Sequence, residues 1–291
     1  MIENSGEHAS GRVTGASNVD VEIGILTKGK ATLGMVLTSL LLQEAVSVRI
    51  HVVDTSSRPV ITRDDVRFAL RLAGDRGIRC SYEFAGESKR AFSMGRARII
   101  RELAGPNLCL CDDDVVLPSG ALNRLVEAAR RGGVYGYICP VLVNAPNVAG
   151  DWGHRPPCTP GSLIYQDALV RRILLEYYDS TIDVLDQDSS EEKVWEPAFL
   201  TTLFDALNRP AIRQGDTVIY HLDYQEGPSW IKEERTVIAR SKNIARALVE
   251  QVQNSPVGPD PDRMRPVEVK SLRSSGPSWL ERARRSLRLP L

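Results

Sequence analysis

No apolar stretch of this sequence reaches the roughly 18–20 residues that a membrane-crossing helix needs. The first twenty residues, MIENSGEHASGRVTGASNVD, are polar and turn-rich and hold no apolar segment of the kind a signal peptide carries. The chain is therefore expected to be cytoplasmic, with residues 1–20 as a disordered tail. Charge imbalance is absent too. Lys plus Arg number 37 and Asp plus Glu number 37, so the basic excess typical of nucleic-acid binders is missing. Cysteine is scarce, with Cys80, Cys109, Cys111, Cys139 and Cys158 as the full set, and none of them pair at CxxC spacing. An odd count at such spacings speaks against a disulfide framework or a zinc site. Free thiols packed as small hydrophobes in a reducing compartment are expected instead. No internal repeat is present.

What the sequence does have is a regular alternation of short apolar runs and helical periodicities. Strands are expected at Val21–Thr27, Val48–Val53, Ile78–Phe84, Leu108–Cys111 and Val134–Val143. Helices are expected at Ala31–Gln43, Asp64–Asp75, Ser93–Ala104 and Pro118–Arg131, each with apolar residues at three- and four-residue spacing. That order predicts an α/β fold with a mostly parallel, Rossmann-like sheet flanked by helices. Farther on the pattern loosens. Asn144–Gly161 reads as loop, Ala168–Tyr178 as helix, and the acidic stretch Asp179–Glu192 as a mobile loop. Helices at Pro197–Leu207 and Arg235–Val252 bracket a strand at Asp216–Leu222. Residues 21–253 are expected to form the folded domain, with a nucleotide-binding half at 21–143 and an acceptor-binding half at 144–253. Residues 254–291 form a Pro/Ser-rich basic tail. There Trp279, Leu280, Ala283 and Leu287 would share one helical face flanked by arginines, which suggests a weak membrane or partner contact beside the plainer reading as a solvated terminus.

The most informative local feature is a run of three aspartates, Asp112, Asp113 and Asp114, straight after the apolar strand LCLC. Three adjacent like charges suit neither a core nor an ordinary strand. At a strand end they deliver carboxylates to the rim of a sheet, where ligands of doubly wound folds bind. Side chains two apart on an extended segment point the same way, so Asp112 and Asp114 can face one ligand while Asp113 faces elsewhere. Two hard oxygen ligands, completed by water and phosphate oxygens, suit Mg²⁺ or Mn²⁺ beside a nucleotide. The plainer alternative is a solvated acidic loop or helix cap.

In order along the chain, GILTKGK, SLLLQ, VVDTSS, MGRARII and CLCDDD resemble the motif series of the GT-A glycosyltransferases, and within them family 2. The resemblance spans about residues 21–223. It implies the GT-A nucleotide-diphospho-sugar transferase fold and a metal-dependent transfer from a nucleotide-sugar, UDP- or dTDP-linked, to a hydroxyl acceptor, with inversion. It assigns Asp54 to the nucleotide base, Thr27 to the base and ribose pocket, Arg98 to the diphosphate, Asp112 to the ribose side, and Asp114 to the metal; Asp113 is grouped with the donor-binding residues but is the one of the three expected to be structural. His221, in VIYHLDY, would complete the metal site, and an imidazole ligand favours Mn²⁺ over Mg²⁺. Read alone, Asp54 equally starts a turn, Arg98 equally is a solvated helix charge, and His221 equally is a hydrogen-bonded rim residue.

An inverting transfer needs a carboxylate to accept the acceptor's proton. The resemblance points to Glu196 in VWEPAFL, where Pro197 replaces a second acid of the family pattern. Glu192, Glu191 and Asp188 are substitutes, and Glu196 also reads as a first-turn acid favoured by the helix dipole. Segments Asp179–Glu192 and Tyr224–Lys232 are expected to close over the donor. Two other classes fit less well: a nucleotidyltransferase, for which Lys28-Gly29-Lys30 is only a faint echo of a basic phosphate loop, and a non-catalytic nucleotide-sugar binder.

Overall fold

The apolar residues of LGMVLTSLL recur every three or four positions, and that periodicity winds Leu33–Leu41 (α1) with Leu33, Val36, Leu37, Leu40 and Leu41 all buried. They face strand Val21–Thr27 (β1), which is buried along its whole length and therefore needs helices on both sides. The computed structural model of the chain describes residues 19–88, 90–132, 135–144, 158–185, 196–222 and 230–254. The elements after α1 are β2 (Val48–Asp54), a 3₁₀ turn (Val60–Thr62), α2 (Asp64–Asp75), β3 (Arg79–Phe84), α3 (Ala91–Glu102), β4 (Asn107–Asp112), β5 (Val115–Val116) and α4 (Ala121–Gly132). Then come β6 (Tyr137–Asn144), β7 (Leu163–Tyr165), α5 (Ala168–Leu185), α6 (Glu196–Ala206), β8 (Ala211–His221) and α7 (Trp230–Gln253).

Among the described residues eight strands form one sheet in the order β3-β2-β1-β4-β7-β6-β8-β5. The pairs β1–β2, β1–β4, β2–β3 and β6–β8 are parallel, as the strand–helix alternation predicts. The pairs involving β7 and β5 are antiparallel. Alternation along β4 sends Cys109 and Cys111 to the core under α1, α2 and α4, and Leu108 and Leu110 to the core under α3, α5, α6 and α7. The cysteines thus serve as small core residues.

Two close approaches fix α3. A Cβ on Gly24 of β1 would lie 2.1 Å from Ile99, and a Cβ on Gly95 of α3 would lie 2.2 Å from Leu26. Glycine at both positions lets the helix backbone settle onto the strand, which carries Arg96 to the end of β4. On the other face Gln43, at the end of SLLLQ, is buried and donates to the carbonyls of Leu117 and Pro118 at 3.1 and 3.0 Å. Its Oε1 accepts from Leu122 N at 3.1 Å. Gln43 therefore fastens the chain just after the aspartate run.

Three expectations change. The acidic stretch read as loop is helical as far as Leu185, because α5 continues past Tyr178. Strand β8 begins at Ala211 rather than Asp216, and Trp230–Lys232 belong to α7 instead of a closing loop. Asp188, Glu191, Glu192, Tyr224 and the tail residues 1–18 and 255–291 lie outside the described residues. Among the described residues no helix is long and apolar enough to cross a membrane.

Candidate functional site

Parallel register brings three strand ends together: Thr27 of β1 pairs with Asp54 of β2, and Leu26 pairs with Asp112 of β4. The polar groups that cluster there divide into two kinds, those that hold the rim and those that face outward.

Thr27 and Asp113 hold the rim. Thr27 Oγ1 donates to Asp113 Oδ2 at 2.6 Å, and Lys28 N reaches the same oxygen at 3.3 Å. Thr32 Oγ1 donates to the Asp113 carbonyl at 2.7 Å. Burial pushes the Asp113 carboxyl above its ordinary value, against the lowering effect of Thr27. Both side chains are buried in these contacts: the Thr27 hydroxyl, placed in the base and ribose pocket by the motif resemblance, is spent on Asp113, and Asp113 is structural, as its position between the other two aspartates suggests.

Asp54 also works within its own loop. Its Oδ1 accepts from Ser56 N and Ser56 Oγ at 2.9 and 2.6 Å. Its Oδ2 accepts from Val60 N at 2.8 Å and Tyr82 OH at 2.5 Å. A carboxylate has about four lone-pair directions, and these donors occupy them. The carboxylate is fully buried and has no acceptor left for a base N–H. Burial, then the Asp54 contact, push the Tyr82 phenol well above its usual value.

The outward-facing groups sit around Asp114. Asp114 Oδ2 lies 2.5 Å from Lys30 Nζ, and Oδ1 lies 3.2 Å from His221 Nε2. Oδ1 is buried, and His221 is its ion-pair contact, with no hydrogen bond to another group among the described residues. The contact is brought about by sheet register, since Val115 of β5 pairs with His221 of β8 and Leu222 N donates to the Asp114 carbonyl at 2.9 Å. Burial alone would raise the Asp114 carboxyl, but His221 and Lys30 hold it below its ordinary value. The Asp114 contact in turn raises the His221 imidazole above its usual range, over the opposing effect of burial.

Asp112 is held apart from this pair. Its Oδ1 accepts from Arg96 Nη2 at 2.7 Å. Arg96 is completely buried, and it also donates through Nε to Glu196 Oε1 at 3.0 Å and through Nη2 to Glu196 Oε2 at 3.1 Å. Tyr178 OH donates to Glu196 Oε1 as well. Burial would lower the guanidinium's pKa, and Glu196 and Asp112 more than offset it.

This network corrects two assignments. Arg98, expected at the diphosphate, points to Glu83 on the far side of α3 and is partly exposed. Arg96 is the arginine at the aspartate run, and a signal for it existed: Ile99 and Ile100 lie three and four residues on, so Arg96 shares the buried face of the helix. Glu196, expected as the catalytic base, has both oxygens committed to Arg96 and Tyr178, which leaves it poorly placed to take a proton from a substrate.

The metal assignment to Asp112, Asp114 and His221 is corrected in part. Among the described residues no three His, Cys, Asp or Glu side chains converge as a metal cluster would. Asp114 and His221 do come together, while Arg96 holds Asp112 aside. Their 3.2 Å separation is about that of two neighbouring ligands on one small divalent ion bound at roughly 2.1 Å. The buried Asp114 Oδ1, with His221 as its neighbour, and a borderline imidazole nitrogen thus fit such an ion with two protein ligands, the remainder coming from water and phosphate.

No family model matches the sequence, and no curated protein does. Solved structures do resemble the fold. S. aureus TarS 1-349 in complex with UDP-GlcNAc superposes with a TM-score of 0.52 at 12% identity, over 80% of this chain and 70% of that one. The mannosyltransferase PcManGT from Pyrobaculum calidifontis, in complex with GDP-Man and Mn2+, gives 0.50 at 13% identity, over 80% and 73%. GalNAc-T7 with UDP, GalNAc and Mn2+ gives 0.50 at 10% identity, over 80% of this chain and 49% of that one. The fold is GT-A.

Proposed function

We propose that the protein is a glycosyltransferase that moves a sugar from a nucleoside-diphosphate donor, UDP- or dTDP-linked, to a hydroxyl acceptor with inversion. The observation that carries this reading is the meeting of His221 with Asp114 at the carboxyl rim of a GT-A sheet. In that reading Asp114 and His221 hold a divalent cation, Mn²⁺ or Mg²⁺. The ion, when bound, supplies positive charge to the diphosphate as it leaves.

Every other role falls to groups of the chain. Asp112, one-third exposed and oriented by Arg96, faces the ribose side of the donor. Lys30 adds a second positive charge at the diphosphate. Thr27, Asp113 and Asp54 keep the loops that frame the donor in one conformation, so that less ordering is left for the moment of binding. Glu196 acts as the counter-ion that lets Arg96 stay charged inside the core. The proton of the acceptor hydroxyl then goes to a carboxylate of the acidic stretch before Glu196, with Glu192 and Asp188 as the candidates.

Nucleoside-diphosphate release from a panel of UDP-, dTDP- and GDP-sugars tests this reading, because donors of this class hydrolyse slowly without an acceptor. A protein with this function releases UDP or dTDP from at least one donor and loses that release in Asp112→Asn. If no donor of the panel is turned over, with metal or without, the reading is wrong. A nucleotidyltransferase would instead form pyrophosphate from a nucleoside triphosphate and a sugar phosphate.

A further inference from the structure

Arg63, the residue before α2, uses every N–H group of its side chain. One edge of the guanidinium rests on a carboxylate: Nε donates to Asp65 Oδ1 at 3.1 Å and Nη2 to Asp65 Oδ2 at 2.6 Å. The remaining donors take three successive carbonyls. Nη1 donates to Gly29 O at 3.2 Å and to Lys30 O at 2.6 Å, and Nη2 donates to Ala31 O at 2.9 Å. A guanidinium has five donors in a fixed fork, and these contacts occupy all of them. Asp65 has room to aim the fork because α1 carries a glycine opposite it, where a Cβ on Gly34 would lie 2.3 Å from Asp65 Oδ2.

The three carbonyls belong to the loop between β1 and α1, and the far side of that loop is tied to the aspartate run. Gly29 turns the chain at φ +92°, a conformation that favours glycine, and its N–H donates to Thr27 Oγ1 at 2.9 Å. Thr27 Oγ1 and Lys28 N both reach Asp113 Oδ2, and Thr32 Oγ1 reaches the Asp113 carbonyl. The loop also lies against the one that follows β2. Thr55 N and Thr55 Oγ1 each donate to Thr27 O at 2.9 Å, and a Cβ on Gly29 would lie 3.1 Å from Ser56 Cβ. Residues 27–32 are thus stretched between Arg63 on one side and Asp113 on the other, with Asp112 and Asp114 flanking Asp113 in the chain. Lys30, whose carbonyl Arg63 holds, sets its ammonium on Asp114 Oδ2 and leaves Oδ1 to His221.

We propose that Arg63 is a positioning residue for nucleotide binding: it holds the β1–α1 loop in the conformation that the nucleoside diphosphate needs before the ligand arrives. This rests on the functional reading above and deepens it. Three carbonyls turned toward one another repel unless a cation lies among them, so without the guanidinium the loop relaxes and must be ordered again on binding. Lysine cannot replace it, because an ammonium is a point charge with three donors and no fork.

The test is isothermal titration of the full chain with UDP and Mn²⁺, at a temperature where circular dichroism shows each variant folded. Arg63→Met and Arg63→Lys are both expected to weaken UDP binding on the order of tenfold, the loss lying in the entropy of ordering the loop. Asp65→Asn, which keeps the fork and removes the charge behind it, falls between them and the wild type. Amide hydrogen exchange at residues 29–32 of the ligand-free protein is faster in both Arg63 variants, and UDP with Mn²⁺ slows it again. With a donor that the wild type turns over, KM rises and kcat stays within about twofold, because the bound loop is the same. UDP affinity in Arg63→Met equal to that of the wild type, with only a lower melting temperature, overturns the proposal and leaves the proposed transfer standing. Wild-type affinity in Arg63→Lys overturns it too, since charge without the fork would then suffice, as does a fall in kcat at unchanged KM. The expected affinity pattern without turnover of any sugar donor supports the positioning role and retires the proposed transfer alone. Absence of UDP binding from the wild type overturns both.

Discussion

Arg96 Nε lies 3.0 Å from Glu196 Oε1, joining α3 to α6 through a guanidinium with no exposure to solvent. A buried pair of this kind is not itself strong evidence of stability, but breaking it leaves an uncompensated charge in the core. Glu196→Gln is therefore expected to lower the unfolding free energy by about 3 kcal/mol. Urea denaturation followed by circular dichroism measures this. A catalytic base behaves in the opposite way, with stability unchanged and turnover reduced by roughly 10²–10⁴.

The two arginines of MGRARII separate equally cleanly. Arg98→Ala removes a partly exposed pair with Glu83 and should change UDP affinity by less than about twofold. Arg96→Leu leaves Asp112 without its orienting donor and Glu196 without its counter-ion, so it should weaken UDP binding and lower the melting temperature together. Isothermal titration with UDP and Mn²⁺, beside a thermal melt, distinguishes the two.

How far the molecule could be read from its residues depended on the kind of signal. Strand β1 and helix α2 were legible to the residue, because unbroken β-rich runs and three-to-four spacing both reflect burial on a fixed face. Strand β7 was not, since Leu163–Tyr165 is too short to show alternation and takes its place by antiparallel pairing with distant strands. The aspartate run announced the rim of the sheet, but its division of labour was hidden. Asp54 and Asp113 differ from Asp112 and Asp114 in which hydrogen-bond donors the fold supplies, and those come from Ser56, Val60, Tyr82, Thr27 and Lys28. In the sequence Lys30 is only a weak phosphate-loop echo, because nothing in KGK reveals that Arg63 donates to the backbone carbonyls around it.

Stability should depend on pH through His51. Its ring is buried on β2, with Nδ1 2.9 Å from Ser81 Oγ and Nε2 3.7 Å from Glu83. Burial lowers its pKa below the ordinary value of 6.5, while Glu102 and Glu83 pull it up and Arg49 pushes it down. The unfolded chain therefore takes up the proton first as pH falls. Stability is fully present above the unfolded value and declines as pH drops from there through the folded value. His51→Gln should flatten that decline in urea titrations across the range, and a slope unchanged by the substitution would show that His51 is not its source.

The central claim is that Asp114 and His221 make this rim a metal-assisted nucleotide site. It is tested most directly by thermal unfolding with UDP, dTDP, GDP or ADP, each with Mn²⁺, Mg²⁺ or EDTA, in the wild type, Asp114→Asn and His221→Ala. At saturating ligand, UDP or dTDP with metal should raise the melting temperature of the wild type by roughly 5–10 °C, and EDTA should abolish most of that rise. Both substitutions should remove the metal-dependent part. A melting temperature indifferent to every nucleotide in every metal condition, or a UDP shift that is the same size in EDTA and in both variants, would contradict the account.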